Sequence, residues 1–147
     1  MIIGIDPGKR GGVAILEGTK VKLINTPEEP TGMADVINSA VNSSYVESEK
    51  LIAYIENVHA FPTDGRSSAF KFGMNYGMWL GILGAYKVTT KKVVPFKWME
   101  PYELPKIKTE RKKKLKQIAQ ELYPDKKITL RTCDALLIAI WGLNNER

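Results

Sequence analysis

The alternation of apolar and polar stretches predicts β-strands at the start of the chain. Residues 1–5 form an apolar run that ends in Asp6-Pro7-Gly8, and residues 11–17 form a second run after a short glycine-rich turn. Two apolar runs joined in this way are typical of a β-hairpin, and residues 21–24 can add a third antiparallel strand. Residues 51–58 are almost continuously apolar apart from Glu56, which predicts a central strand covered on both faces.

Helical patterns occupy most of the remaining chain. The sequence predicts helices over residues 33–41, 69–86, 108–123 and 131–143. Thr31 is the expected cap of the first helix, and Pro124 ends the third. Residues 87–94 alternate enough to form an edge strand, whereas residues 95–105 are predicted to be a proline-punctuated aromatic loop.

Length and composition narrow the class of protein. With 147 residues, 44% of them hydrophobic, the chain is expected to form one domain spanning residues 1–147. Its one cysteine, Cys133, excludes an intramolecular disulfide framework and fits a reducing compartment. No signal-peptide pattern opens the chain, and no apolar run approaches the roughly 18 residues of a membrane span. We therefore expect a soluble, cytoplasmic protein that binds no membrane.

Positive charge is concentrated in one part of the chain. The net charge is +6, and residues 87–116 hold eleven basic residues against three acids. The densest stretch contains Lys106, Lys108, Arg111, Lys112, Lys113, Lys114 and Lys116. A basic helix surface of this kind suits a polyanionic partner, although a run of lysines is otherwise simply a solvated helix face.

Three acidic residues stand in apolar surroundings. Asp6 ends a hydrophobic strand, Glu56 lies within another, and Asp134 begins an apolar helix. A carboxylate removed from water needs a cation, a hydrogen-bond donor or a proton, and carboxylates are the ligands that Mg²⁺ prefers. Ordinary explanations remain open: Asp6 before Pro-Gly can be a turn residue, and Asp134 can be a helix N-terminal acid. Glu56 is harder to explain in this way, because glutamate is seldom buried unpaired.

The motifs around these acids resemble those of a known family. They read Gly4-Ile-Asp-Pro-Gly8 followed by Gly12-Val-Ala-Ile15, then Tyr54-Ile-Glu56, and finally Cys133-Asp-Ala-Leu-Leu-Ile-Ala139. In this order they resemble the motifs of RuvC-like Holliday junction resolvases, members of the RNase H-like superfamily. The segments Val58-His-Ala-Phe-Pro62, Phe70-Lys-Phe-Gly73 and Asn75-Tyr-Gly77 look particularly like the short bacteriophage and prophage branch.

The resemblance implies a fold and an activity. The fold would be an RNase H-like α/β fold with a five-stranded mixed sheet flanked by helices. The protein would be a homodimeric endonuclease of DNA recombination and repair, cutting four-way junctions, and also forks or flaps, to 5′-phosphate and 3′-hydroxyl ends. Asp6, Glu56 and Asp134 would hold two Mg²⁺ or Mn²⁺ ions per site. The setting would be a bacterial cell or a phage-infected host.

One position departs from the family pattern. Many members carry a fourth acidic or histidine residue one turn before the terminal aspartate, where this chain has Arg131. Arginine cannot ligate a metal. The register of the helix start could be shifted, His59 or Asp64 could assist, or the second metal could be held loosely until DNA binds. Arg131 could instead contact the scissile phosphate. His59 is also consistent with a packing or solvated histidine.

Two further features bear on DNA and on dimer formation. Phe61 could insert into the open centre of a junction or anchor a buried loop. Glycines recur along the second predicted helix at Gly73, Gly77, Gly81 and Gly84, which favours close packing against another element. That element could be a second subunit or the sheet of the same subunit.

Other functions compete with the junction resolvase. A YqgF-like nuclease that processes RNA shares the first-strand motif, and a non-catalytic junction-binding protein would retain the fold without metal competence, as Arg131 suggests. An actin-like ATP-binding fold needs duplicated domains, which 147 residues cannot hold.

Overall fold

A five-stranded mixed β-sheet lies at the centre of the structure, a computed structural model that describes residues 1–57 and 65–146. The strands lie in the order β3-β2-β1-β4-β5. Their bounds are β1 Ile2–Ile5, β2 Gly12–Glu17, β3 Lys20–Asn25, β4 Ile52–Glu56 and β5 Thr89–Val93. The predicted α/β fold with a five-stranded mixed sheet is confirmed.

The direction and register of the strands determine which strand ends lie side by side. β1 runs antiparallel to β2, and β2 runs antiparallel to β3, as the hairpin pattern predicted. β1 runs parallel to β4, with Ile5 opposite Ile55, and β4 runs parallel to β5. Because the residues after Ile5 and Ile55 are Asp6 and Glu56, these two acids leave adjacent strands at the same edge of the sheet.

Helices cover both faces of the sheet. Their bounds are α1 Pro30–Val46, α2 Arg66–Ala85, α3 Pro95–Met99, α4 Lys108–Leu122 and α5 Cys133–Asn145. Helices α1 and α2 pack against one face, where Ile3 and Ile5 are fully buried. Helices α3, α4 and α5 cover the other face, where Ile2 and Tyr54 are buried. None of the helices in residues 1–57 and 65–146 has the length and apolarity needed to cross a membrane.

Two sequence predictions at helix starts are wrong. Residues 95–99, predicted as part of a loop, form α3, because Pro95 occupies the first helical turn and Trp98 is buried under it. Thr31 does not cap α1; the cap position is Glu29, followed by Pro30, so the helix is longer than its apolar pattern indicates.

The end of strand β4 also differs from the prediction. Strand β4 ends at Glu56, which makes Glu56 a strand-end residue instead of an interior one.

Close packing of α5 on β1 depends on Gly4. A Cβ atom added to Gly4 would lie 2.1 Å from the carbonyl oxygen of Ala135 and 2.5 Å from the amide nitrogen of Ala139. No such contact is tolerated between non-bonded atoms, so any side chain at this position would push α5 away from the sheet. Since α5 carries Asp134 in its first turn, Gly4 also determines how near Asp134 lies to the end of β1.

We expect the substitution Gly4→Ala to lower the free energy of unfolding by about 3 kcal/mol, the upper end of the usual cost of overpacking a core. Urea titration followed by circular dichroism measures this change. The matched control is Gly65→Ala, whose added Cβ meets only the Ser68 hydroxyl, at 4.0 Å. Because Gly65 is the N-cap of α2, this control should cost about 1 kcal/mol or less. Equal losses for the two variants would contradict the packing argument.

Candidate active site

Three acids predicted from the sequence converge at one edge of the sheet. Asp6 follows β1, Glu56 ends β4, and Asp134 lies in the first turn of α5. Burial and then the charges of Asp6 and Asp134 raise the pKa of Glu56, and burial and then the charge of Asp134 raise the pKa of Asp6. We refer to Asp6, Glu56 and Asp134 as the acidic cluster.

The two oxygens of Asp6 have different surroundings. Oδ1 accepts a hydrogen bond from the Gly8 backbone N–H at 3.1 Å, as expected for a turn residue before Pro-Gly. Oδ2 instead faces the Lys112 ammonium, 4.0 Å away. A Cβ atom on Gly11 would lie 2.2 Å from the Asp6 carbonyl oxygen, so glycine is required there to keep Asp6 in place. Burial, followed by the charge of Asp134, raises the pKa of Asp6.

Glu56 is held by an indole. Trp98, 1% exposed, donates a hydrogen bond from Nε1 to Glu56 Oε1 at 3.0 Å. Burial and the nearby Asp6 charge raise the pKa of Glu56 to about 7, although the bond from Trp98 opposes this shift. At neutral pH this side chain is therefore divided between its acid and its carboxylate.

Lys112 supplies positive charge to the acidic cluster. Its ammonium donates a hydrogen bond to Asp134 Oδ2 and also lies near Asp6. Burial alone would lower the pKa of Lys112, but the charge and hydrogen bond of Asp134 outweigh it, and the pKa is raised. Lys112 is therefore a tethered cation among the carboxylates, with its side chain 31% exposed.

The donor chemistry of the cluster suits a hard divalent cation, because carboxylate oxygens are its preferred ligands. In the part of the chain that the structure describes, no three His, Cys, Asp or Glu side chains already form a coordinating group. The arrangement seen is one in which Lys112 balances the charge of Asp134. Asp6, Glu56 and Asp134 are the residues whose oxygens could hold a divalent ion, and Lys112 would then have to release Asp134.

The structure describes some of the other predicted site residues. Arg131 donates from one guanidinium nitrogen to the carbonyl oxygens of Thr26, at 3.3 Å, and Lys9, at 3.5 Å. It thus links the end of β3 to the β1–β2 turn. On and before α4, the exposed basic residues are Lys106, Lys108 and Lys113, and the partly buried ones are Arg111, Lys112, Lys114 and Lys116. His59, Phe61 and Asp64 lie outside the described residues.

Two contacts in the site were not predicted from the sequence. Trp98 gave no signal, because its segment looks like a loop and no pattern connects it to Glu56. Lys112 was grouped with the other lysines of its helix. Lys112 lies three residues before the buried Leu115, which places it toward the covered side of α4, but Lys116 stands in the same relation to the buried Ala119, so spacing alone does not single out Lys112.

Comparison with known proteins supports the fold. No protein-family model and no curated protein matches the sequence. Among solved structures, Thermus thermophilus RuvC in complex with a Holliday junction substrate superposes with a TM-score of 0.61 and 17% identity, over 99% of this chain and 94% of that chain. A second T. thermophilus RuvC structure gives a TM-score of 0.59 and 18% identity, over 99% and 95% of the two chains. The chain therefore has the RNase H-like fold seen in RuvC.

The raised pKa of Glu56 predicts how stability depends on pH in metal-free buffer. The folded protein binds the Glu56 proton more tightly than the unfolded chain, where a glutamate titrates near 4.5. This stabilising contribution is complete below pH 4.5 and is lost as the pH rises through about 7. We expect the free energy of unfolding to fall between pH 5 and pH 8, by up to roughly 3 kcal/mol from this group.

Chemical denaturation in EDTA at several pH values measures this dependence. Glu56→Gln should remove most of it, whereas Glu47→Gln, at an exposed position, should leave it intact. A free energy of unfolding that rises over the same range would show that Glu56 is not destabilised in its ionised form.

Proposed function

We propose that this protein is a divalent-metal-dependent endonuclease that resolves four-way and other branched DNA junctions. The observation that carries the proposal is the convergence of Asp6, Glu56 and Asp134 at one sheet edge of an RNase H-like fold. The T. thermophilus RuvC structure with a similar fold is a complex with a Holliday junction substrate. The sequence motifs around all three acids support the same family.

The acidic cluster would hold the metal. When bound, Mg²⁺ or Mn²⁺ supplies Lewis-acid activation of water and of the phosphate oxygens. Trp98 keeps one Glu56 oxygen directed by its hydrogen bond and leaves the other available. Gly8 does the same for Asp6, because its N–H engages Oδ1 only. Each of these two carboxylates thus keeps one oxygen that accepts neither of these hydrogen bonds, although that of Asp6 lies 4.0 Å from the Lys112 ammonium.

Lys112 has two roles in this proposal. In the absence of metal, its ammonium offsets the repulsion among the carboxylates. An ammonium and a divalent ion would compete for the same oxygens, so Lys112 would have to release Asp134 for these acids to hold an ion. Its side chain would then be available at the site to bind a DNA phosphate.

DNA would approach along α4. Lys108 and Lys116 lie one helical turn on either side of Lys112 and share its side of the helix. Lys106, Arg111, Lys113 and Lys114 extend the positive surface. These residues would bind phosphates without sequence choice, which gives affinity that falls with salt concentration.

A homodimer would use the exposed side of α2. Cβ atoms added to Gly73, Gly77, Gly81 or Gly84 would meet no atom within 4 Å, so these glycines do not pack against the described part of their own subunit. The same side carries Phe70, 70% exposed, and Met74, 53% exposed. We refer to Phe70, Gly73, Met74, Gly77, Gly81 and Gly84 as the α2 outer face.

Two copies of the α2 outer face would complement each other. Its bulky residues lie toward the start of the helix and its glycines toward the end. Phe70 and Gly84 lie roughly 20 Å apart along one helix, on either side of Gly77. If two α2 helices cross antiparallel near Gly77, Phe70 of each subunit would lie over Gly84 of the other. Both active sites would then belong to one assembly, as symmetric cutting of a junction requires.

The proposal extends to the branch of the resolvases and to the cellular setting. Phe70-Lys-Phe-Gly73 and Asn75-Tyr-Gly77 favour the bacteriophage and prophage branch of the resolvases, acting in the cytoplasm of a bacterial cell or a phage-infected host. A non-catalytic junction-binding protein is the second candidate. It is favoured by the ion pair of Asp134 with Lys112 and by the engagement of Arg131 with backbone carbonyls.

We expect purified protein to cut a four-way DNA junction only when Mg²⁺ or Mn²⁺ is present. Asp6→Asn should lower kcat by more than roughly 100-fold, because losing even an outer partner of a metal ligand commonly costs 10- to 100-fold. Binding to the junction in EDTA should persist. Asp35→Asn, at an exposed position of α1, is the matched control and should cut normally.

Parallel assays on linear duplex DNA and structured RNA separate the alternatives. Cleavage of RNA alone would favour the YqgF-like nuclease. Junction binding without any metal-dependent cutting would favour the non-catalytic protein.

We expect the protein to sediment as a dimer and Gly77→Leu to weaken its association roughly 100-fold, because the added side chain enters twice at the twofold axis. Sedimentation equilibrium over a concentration series measures this. The control Ser39→Leu adds the same side chain to an exposed position of α1 and should leave the dimer intact. A dimer that Gly77→Leu does not weaken would place the interface elsewhere.

A further inference from the structure

Two consecutive residues of α2 contact the chain directly after two of the acids. Asn75, 8% exposed, donates a hydrogen bond from Nδ2 to the carbonyl oxygen of Pro7, the residue after Asp6. Tyr76 donates a hydrogen bond from its hydroxyl to Asn57 Oδ1 at 3.2 Å, and Asn57 follows Glu56. One turn of one helix therefore holds both strand ends that carry acids.

From this arrangement we infer that Asn75 and Tyr76 are positioning residues that set the separation of Asp6 and Glu56 for metal binding. The inference rests on the proposed function, because it assigns these two side chains a role toward the same site. Neither side chain touches the carboxylates themselves. Asn75 acts through the backbone of Pro7, which follows Asp6, and Tyr76 acts through the side chain of Asn57, which follows Glu56.

The strand ends need such support because the acids repel each other. Because β1 and β4 are parallel, with Ile5 opposite Ile55, Asp6 and Glu56 leave neighbouring strands side by side, and separating these two like charges would lower the electrostatic energy. Beyond Asp6, the chain leaves the sheet at Pro7, which has no backbone N–H to donate to a neighbouring strand. The hydrogen bond from Asn75 to the Pro7 carbonyl fixes the chain at this point.

Docking of α2 does not depend on these hydrogen bonds. Trp79 and Leu83 on the same helix are fully buried in the core between α2 and the sheet. A leucine at position 75 would bury apolar surface without the cost of desolvating an amide. The amide is therefore explained better by its bond to the Pro7 carbonyl than by packing.

The Tyr76 contact has a similar character. The ring is partly buried, and burial raises the pKa of its hydroxyl, so the group remains protonated and able to donate. The Lys92 ammonium lies 5.9 Å from the centre of the ring. The ring is thus held in place by its surroundings, and the hydroxyl adds the bond to Asn57.

The test compares Asn75→Leu and Tyr76→Phe with the wild-type full chain. Isothermal titration with Mn²⁺ measures metal binding without DNA, and initial rates on a four-way junction separate kcat from KM. We expect each variant to bind Mn²⁺ about 10-fold more weakly, the usual cost of losing a residue that orients a metal ligand. The kcat should fall by a similar factor, while KM and junction binding in EDTA stay within about twofold.

Matched controls remove the same groups elsewhere. Asn38→Leu replaces an exposed asparagine of α1, and Tyr45→Phe removes the hydroxyl of an exposed tyrosine. Both should bind Mn²⁺ and cut like the wild type. Because Tyr76→Phe removes a single oxygen atom, it keeps the test valid if Asn75→Leu does not fold.

Wild-type Mn²⁺ affinity and kcat in folded Tyr76→Phe and Asn75→Leu would overturn the inference. If the wild type itself neither binds Mn²⁺ nor cuts DNA, the proposed function fails, and the inference fails with it. If Asp6→Asn abolishes Mn²⁺ binding while the two α2 variants bind normally, the positioning role alone is wrong.

Discussion

Repulsion among three carboxylates at one sheet edge is the constraint to which the rest of the site responds. Burial and the charge of Asp6 raise the pKa of Glu56, and burial and the charge of Asp134 raise the pKa of Asp6. The fold nevertheless holds them together, because parallel pairing of β1 with β4 fixes the first two and α5 supplies the third. Lys112 then provides the one ammonium that lies within 4.0 Å of Asp6 and Asp134 among the described residues.

The sequence predicted the acids and most strands because these features are local. Apolar runs with an acid at or near the end mark β1 and β4, and the motif order suggested that they converge. The sequence could not show that Trp98 donates a hydrogen bond to Glu56, or that Lys112 donates one to Asp134. Those contacts depend on how α3 and α4 pack on α5, which no short pattern encodes. The loop predicted over α3 failed for the same reason, since Trp98 stabilises that helix from within the core.

Glycine positions show where sequence reasoning stops short of a decision. The recurring glycines of α2 were compatible with packing inside one subunit or between two, and only coordinates separate these cases. In the described structure they face open space, whereas Gly4 and Gly12 lie against the backbone of α5 or the residues before it. The same residue type thus allows close approach in one place and leaves an uncovered surface in another. On α2, the uncovered glycines lie on the same helix as Asn75 and Tyr76, so the proposed dimer contact and the support of the acids share one element.

Structural and functional explanations of the acids are not alternatives in this protein. Asp6 is a turn residue through Oδ1, which accepts the Gly8 N–H, and a cluster residue through Oδ2, which faces Lys112. Asp134 is a helix N-terminal acid, placed where the positive end of the α5 dipole favours it, and it also binds Lys112. Each local interaction stabilises the charged form of a carboxylate that its neighbours destabilise. The turn and helix interactions of Asp6 and Asp134 therefore reduce the energetic cost of placing the three acids together. For that reason the structural and the functional explanation can hold for the same residues.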